Sequence, residues 1–252
     1  MRPVRDDAAC EGGEALRERW RAVCARVRAA CREAGRDPTD VRLVAVSKFQ
    51  PAAAIACVAA AGQADFGENY VQEARSKQAA LAGAGLRWHM IGHVQSRKAR
   101  DVAGRFVCIH TLDSLKLARA LEAHLAASGM AQDVLIQVNV GEEAQKSGVT
   151  AGELPALAEA VLGQCPHLRL QGLMCLPPVF DAGMAARPHF ARLREWNESL
   201  RVRLGLPLPE LSMGMSGDFA AAIQEGATMV RIGTDIFGLR PPGGVALADV
   251  AR

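Results

Sequence analysis

Eight short apolar runs, many of them β-branched, recur along the chain, and amphipathic or alanine-rich stretches separate them. The runs are Arg42–Val46, Ala64–Phe66, Trp88–Ile91, Phe106–Ile109, Val134–Val140, Leu170–Met174, Glu210–Met213 and Thr228–Ile232. Helices are predicted between them over 51–61, 69–82, 95–103, 114–128, 151–163, 187–204 and 217–225. Near-continuous apolar strands alternating with helices pair in parallel and are buried on both faces. Eight such units fit a single (β/α)8 barrel of the TIM type, a fold of about 250 residues. The chain has 252. The alternative is an open doubly wound sheet, which usually shows a Gly-rich turn after its first strand. Here the first strand runs into Val46-Ser47-Lys48-Phe49 instead.

An extra helix precedes the first strand. Leu16, Trp20, Val23, Cys24, Val27, Ala30, Cys31 and Ala34 recur at spacings of three and four, with arginines on the other face. This stripe is read as packing against the barrel. Gly35 can end the helix, and Pro38 follows. Pro51 suits a first helical turn and Gly62 a stop, and Thr150 with Glu153 reads as a capping box. The barrel is expected to occupy 14–240, with 1–13 and 241–252 as flexible tails.

Bulk chemistry excludes several classes. A net charge of +3 gives no reason to expect nucleic acid or an anionic membrane as partner. The chain has no apolar stretch long enough to span a bilayer, and Arg2, Arg5, Asp6 and Asp7 without a following apolar run are not expected to form a secretory signal. Its seven cysteines form no CxxC pair. That argues against a disulfide framework or a thiolate zinc site and for a reducing, cytoplasmic setting.

In a barrel, ligand chemistry gathers where the strands end. Lys48 closes the first strand just beyond Leu43-Val44-Ala45-Val46. Desolvation there disfavours an ammonium and favours a nucleophilic amine, although a lysine snorkelling to solvent is the ordinary alternative. Ser212-Met-Gly-Met-Ser216-Gly217-Asp218 closes the seventh strand and opens a helix, and Arg231-Ile-Gly233-Thr234 closes the eighth. Small residues and hydroxyls at a helix start suit a phosphate, and the loops after strands seven and eight are the usual phosphate site of this fold. Taken singly, each is an ordinary turn. An amine beside a phosphate site points to a phosphorylated aldehyde. Pyridoxal phosphate and the sugar-phosphate substrates of Schiff-base aldolases both satisfy this.

Longer motifs narrow the choice. Val46-Ser-Lys48, Phe66-Gly-Glu-Asn69-Tyr70-Val-Gln-Glu, Trp88-His-Met-Ile-Gly-His93-Val-Gln-Ser-Arg-Lys98, Gly172-Leu-Met-Cys-Leu-Pro-Pro, Ser212 to Asp218 and Val230 to Gly238 resemble the pyridoxal phosphate homeostasis proteins, in order, from about residue 16 to 240. The resemblance implies the fold type III barrel shared with the N-terminal domain of alanine racemase. It implies pyridoxal 5'-phosphate held as a Schiff base by Lys48, with Ser216, Gly233 and Thr234 on the phosphate and Ser212 nearby. Arg231 would face the pyridine nitrogen, and Asn69 would lie close to the ring. The implied role is control of the supply of a reactive cofactor. Its partners would be apo-enzymes that accept the cofactor, and the chain is expected to be a monomer.

Efficient catalysis is not expected. A guanidinium cannot accept a hydrogen bond, so opposite the ring nitrogen Arg231 disfavours a protonated, electron-withdrawing ring. Racemases of this fold add a C-terminal domain that supplies an acid/base tyrosine. Here about a dozen residues follow Gly238, and the one tyrosine is Tyr70. Gly172-Leu-Met-Cys-Leu176 also lacks the histidine that racemases set on the ring. A racemase remains the alternative, and a partner-binding regulator that senses the cofactor is a third. No metal is expected: His89 and His93 sit near a strand end without a third ligand. Glu68 and Glu73 read as helix-start and surface charges. Arg97, Lys98 and Arg100 read as a solvated face, and Cys175 as a buried thiol without a positive neighbour.

Overall fold

The computed structural model describes residues 7–238, apart from Ala144 and Val179. Eight parallel strands form a closed barrel in chain order: β1 (Arg42–Val46), β2 (Asp65–Glu68), β3 (Arg87–Met90), β4 (Cys108–Leu112), β5 (Gln132–Val138), β6 (Leu168–Cys175), β7 (Glu210–Ser212) and β8 (Met229–Ile232). Closure is made by β1 against β8, where Val44 lies opposite Arg231 and Ala45 opposite Ile232.

The helices are α1 (Asp7–Glu33), α2 (Ala52–Ala60), α3 (Val71–Ala80), α4 (Ala99–Val102), α5 (Leu115–Ser128), α6 (Leu154–Gln164), α7 (Arg187–Leu204), α8 (Phe219–Gln224) and α9 (Thr234–Phe237). Their inner faces and the outward side chains of the strands make the main core. Phe66, Ile55, Leu117, Leu121 and Phe190 are fully buried there. Each such side chain contributes about 1.5–3 kcal/mol relative to exposure.

The stripe on α1 packs against the barrel as anticipated: Leu16, Val23, Val27, Ala30 and Cys31 are buried. Trp20 lies over Gly62 and donates from Nε1 to Gln63 Oε1 at 2.9 Å. Gln63 in turn donates to the carbonyls of Leu43 (2.7 Å) and Asp65 (2.6 Å), fastening α1 to β1 and β2. The helix begins at Asp7, so part of the segment expected as a loose tail is helical. The other expected tail residues, 1–6 and 241–252, lie outside the described residues. The capping box forms reciprocally: Thr150 N donates to Glu153 Oε2 at 2.9 Å, and Glu153 N to Thr150 Oγ1 at 3.3 Å.

Most element ends shift by one to three residues from the sequence reading, and three differences bear on the loops. The fourth strand starts at Cys108 and runs to Leu112, because Phe106 and Val107 form the approach to it. The fifth starts at Gln132 and ends at Val138. Asn139 then turns the chain, its Nδ2 donating to Glu143 O at 2.9 Å and its Oδ1 accepting from Glu143 N at 3.2 Å. The predicted helix over 95–103 is a 3-10 turn, Ser96–Lys98, followed by the single turn of α4.

The barrel lumen holds a second, small apolar cluster of Val44, Cys108, Leu135, Met174 and Met229. The interior is otherwise polar. Asp65, His89, His110, Ser212 and Arg231 are all buried and hydrogen-bonded in sequence.

Candidate functional site

Closure of β8 on β1 makes β7, β8, β1 and β2 four consecutive neighbours. Lys48 follows β1, Asn69 follows β2, Ser216 follows β7, and Gly233 and Thr234 follow β8. The C-terminal ends of adjacent strands thus gather residues that are far apart in the sequence.

Lys48 is half-buried, and its neighbours are held on both sides. Ser47 is buried and donates from Oγ to Glu68 Oε1 at 2.6 Å. Phe49 has φ +63°, packs against Tyr70 in a tilted arrangement with ring centroids 5.2 Å apart, and donates its N–H to Glu73 Oε1 at 2.5 Å. Lys77 ties the two sides together. Its Nζ donates to Ser47 O at 2.6 Å and to Glu68 Oε1 and Glu73 Oε1, both at 2.7 Å. Burial pushes the Glu68 carboxyl above the usual range, although the Lys77 ammonium pulls the other way. Glu68 is fully buried, so its reading as a helix-start surface charge is corrected. Lys77 drew no attention in the sequence, because nothing local in α3 marks it as buried.

Asn69 is half-buried, and its Oδ1 is enclosed without a hydrogen-bond partner among the described residues. The loop after β3 presses on it: a Cβ at Gly92 would sit 2.2 Å from the Asn69 carbonyl oxygen, so only glycine fits there. Asn69 lines a cavity of about 280 Å³ over the C-terminal strand ends, together with His93, Thr111, Lys146 and Leu176.

Beyond β7, Met215 N donates to Asp218 Oδ1 at 2.5 Å and Asp218 N to Met215 O at 3.1 Å, so the turn bearing Ser216 is closed on itself. Arg231 N donates to Gly214 O at 2.9 Å, joining that turn to β8. Gly233 lies against Val46: a Cβ there would be 3.1 Å from the Val46 carbonyl oxygen. The β8 turn therefore touches the strand that leads to Lys48.

Arg231 is buried within the barrel. Nη1 donates to Ser212 Oγ at 2.7 Å and Nη2 to Cys175 O at 2.9 Å. Desolvation lowers its pKa, but a guanidinium stays charged. Ser212 is fully buried, with its hydroxyl between Arg231 and His110. Cys175 does have a positive neighbour in Arg231, contrary to the sequence reading. Burial outweighs it and pushes the thiol up to about 12. Both histidines flank the end of β3, but His89 is buried inside the barrel while His93 lies on the exposed rim.

The comparisons with known proteins agree with this geometry. Residues 15–241 match the family model described as the N-terminal domain of alanine racemase. The pyridoxal phosphate homeostasis protein of Pseudomonas aeruginosa is 52% identical over 224 residues, 89% of this chain and 95% of that one. The chain belongs to the pyridoxal phosphate homeostasis protein family. Among solved relatives, PipY of Synechococcus elongatus with PLP bound is 39% identical. It superimposes with a TM-score of 0.76 over 85% of this chain and 100% of that one. Alanine racemase from Corynebacterium glutamicum, at 20% identity and TM-score 0.66 over 89% of this chain and 62% of its own, shares the fold. In this family member no described helix is long and apolar enough to cross a membrane.

Proposed function

We propose that this chain holds pyridoxal 5'-phosphate covalently on Lys48 and serves in keeping that cofactor available, as a carrier and not as a catalyst. The observation that carries the reading is the gathering of Lys48, Asn69, the Ser216 turn, and Gly233 with Thr234 on four adjacent strand ends, above a buried arginine. The donor set suits a phosphorylated, aromatic aldehyde: one amine, a permanent cation, hydroxyls on two small-residue turns, and the amide oxygen of Asn69, which has no partner among the described residues. The bound group supplies a reactive carbonyl, and the chain supplies the amine that captures it.

The remaining roles belong to the protein. Ser216, Gly233 and Thr234 would hold the phosphate, Asn69 would lie along the ring, and Arg231 would direct its charge at the ring nitrogen. Tyr70, the one tyrosine of the sequence, is 44% exposed and packed on Phe49. It is not set up as an acid/base group inside the site. Both lumen histidines are buried in a closed chain of hydrogen bonds. On this reading the protein works as a cytoplasmic monomer, and apo-enzymes that need the cofactor are its acceptors.

The test is borohydride reduction of the cofactor-loaded protein followed by peptide mapping. The reduced adduct is expected on Lys48 and is lost in Lys48→Ala. An adduct on another lysine, or on none, refutes the assignment. Exchange of an amino acid's Cα proton in heavy water at ordinary enzyme rates, about 1–10³ per second, refutes the carrier role.

A further inference from the structure

Arg231 is buried, yet its two described partners, the Ser212 hydroxyl and the Cys175 carbonyl, are neutral. Its hydrogen bonding continues below it. Ser212 Oγ is 2.8 Å from His110 Nδ1, His110 Nε2 is 2.9 Å from His89 Nδ1, and His89 Nε2 is 2.9 Å from Asp65 Oδ1. Asp65 also accepts from Arg87, Nε to Oδ1 at 2.8 Å and Nη2 to Oδ2 at 2.5 Å. The chain of contacts crosses the lumen from β8 through β7, β4 and β3 to β2. It ends at a cavity of about 300 Å³ lined by Asp65, Arg87 and His89.

With both histidines neutral, counting protons gives every bond one direction. A guanidinium has no acceptor, so Ser212 Oγ accepts from Arg231. Its single proton is then free to go to His110 Nδ1. That makes Nε2 the protonated nitrogen of a neutral His110, donating to His89 Nδ1. His89 in turn carries its proton on Nε2 and donates to Asp65. The carboxylate accepts at the far end, as an ionised group must. Reversing the histidines strands the Ser212 proton. It also points a bare nitrogen at the carboxylate unless an imidazolium or a protonated carboxyl is buried. Burial holds His110 far below its ordinary pKa, which agrees with the neutral form.

We propose that His110 and His89 are positioning residues for Arg231. A one-way hydrogen-bond chain, Arg231 to Ser212 to His110 to His89 to Asp65, locks the guanidinium in place at the cofactor end of the barrel. The consequence for the cofactor rests on the reading that Arg231 faces the ring nitrogen. The lock itself does not.

The test uses the ¹⁵N-labelled full chain, first without and then with pyridoxal phosphate. In the cofactor-free protein at neutral pH, long-range nitrogen–proton spectra should show both His110 and His89 protonated on Nε2 and bare on Nδ1. An Nδ1-protonated His110 overturns the proposal without any variant being needed. The Arg231 guanidinium should rotate slowly. In His110→Leu its rotation should quicken by roughly two- to tenfold, as loss of the neutral hydrogen bond that orders the Ser212 hydroxyl implies. His110→Gln, which keeps one acceptor and one donor, should recover much of the restraint. Unchanged Arg231 signals in His110→Leu overturn the lock. After cofactor is added, His110→Leu should move the visible absorption band while borohydride still traps the adduct at Lys48. Freed Arg231 signals with an unmoved band overturn the placement of Arg231 at the ring and leave the lock standing.

Discussion

Lys77→Met removes a cation that three acceptors share. In the folded protein Nζ is nearly enclosed, its side chain 6% exposed, and it satisfies Ser47 O, Glu68 Oε1 and Glu73 Oε1. Without it the Glu68 carboxylate, itself 0% exposed, keeps only the Ser47 hydroxyl, and its Oε2 already lacks a partner among the described residues. Breaking a buried pair from one side costs about 3–5 kcal/mol, because the stranded charge stays buried. The cost should depend on pH with a definite sign. Burial already raises the Glu68 pKa, and losing Lys77 removes the attraction that opposes the rise. A group whose folded pKa is raised binds more protons folded than unfolded. Its contribution to stability is therefore largest in acid and declines as pH climbs from the unfolded value through the folded one. In Lys77→Met the loss should be near the full 3–5 kcal/mol at pH 8 and clearly smaller at pH 5, where Glu68 can take up a proton. Urea unfolding of the cofactor-free protein, followed by tryptophan fluorescence at both pH values, measures it. Adding Glu68→Gln to the variant should recover part of the loss at pH 8. A loss under about 1 kcal/mol at pH 8, the range of an exposed pair, or a larger loss at pH 5, refutes the reasoning. The same variant should slow reductive trapping at Lys48, since Ser47 and Phe49 on either side of it are anchored to this cluster.

Other consequences are independent. Gly92→Ala drives a methyl into the Asn69 backbone and should cost about 1–3 kcal/mol of stability, the range for overpacking, and weaken cofactor binding; normal thermal unfolding and affinity would contradict the close approach. Ser216→Ala should weaken cofactor binding by about 1.5–3 kcal/mol, as for a hydrogen bond to a charged group, read by titrating the visible band; an unchanged affinity moves the phosphate elsewhere. For Asp65, burial works against the hydrogen bonds from Arg87 and His89, and the bonds win, bringing the carboxyl down from 3.8 to about 2. Its contribution is complete above the unfolded value and is lost as pH falls through about 2, amounting to about 2 kcal/mol. Asp65→Asn should flatten the acid limb of the stability–pH curve, and an unaltered limb would count against the pairing.

The barrel was legible because eight apolar runs separated by helical stretches leave few other ways to bury both faces of each strand. That same double burial hid the lumen. In Cys108-Ile-His-Thr-Leu112 and Trp88-His-Met90 both faces are enclosed, so alternation does not announce which side chains point inward. His110 passed unnoticed, and His89 was read as a strand-end residue. Reading every second residue inward from a settled register would have aligned Asp65, His89 and His110. The positions at the strand ends were clearer, since Lys48, Ser216 and Gly233 stand within a few residues of the ends of their strands. Lys77 was not legible: α3 looks like an ordinary polar helix, and its burial follows from Ser47, 30 residues away along the chain.

The polar lumen also explains how a barrel can keep a buried arginine useful. A carboxylate in direct contact would neutralise the guanidinium and turn its field away from the strand ends. Complete isolation would make the cost of burying it prohibitive. Here no carboxylate is hydrogen-bonded to the guanidinium among the described residues: Asp218 acts on it electrostatically, and Asp65, which is shared with Arg87, closes the hydrogen-bonded line beyond two imidazoles and a hydroxyl. Each group in the line is hydrogen-bonded to the next, so the desolvation cost is offset along the chain. On that arrangement, replacing Ser212 by alanine should harm Arg231 more than replacing Asp65 by asparagine. The first severs the bond to the cation itself, whereas an amide at the far end still accepts from His89. Arg231 guanidinium rotation in the two variants, compared at neutral pH, decides it; equal effects would mean that the guanidinium is held by Cys175 O alone.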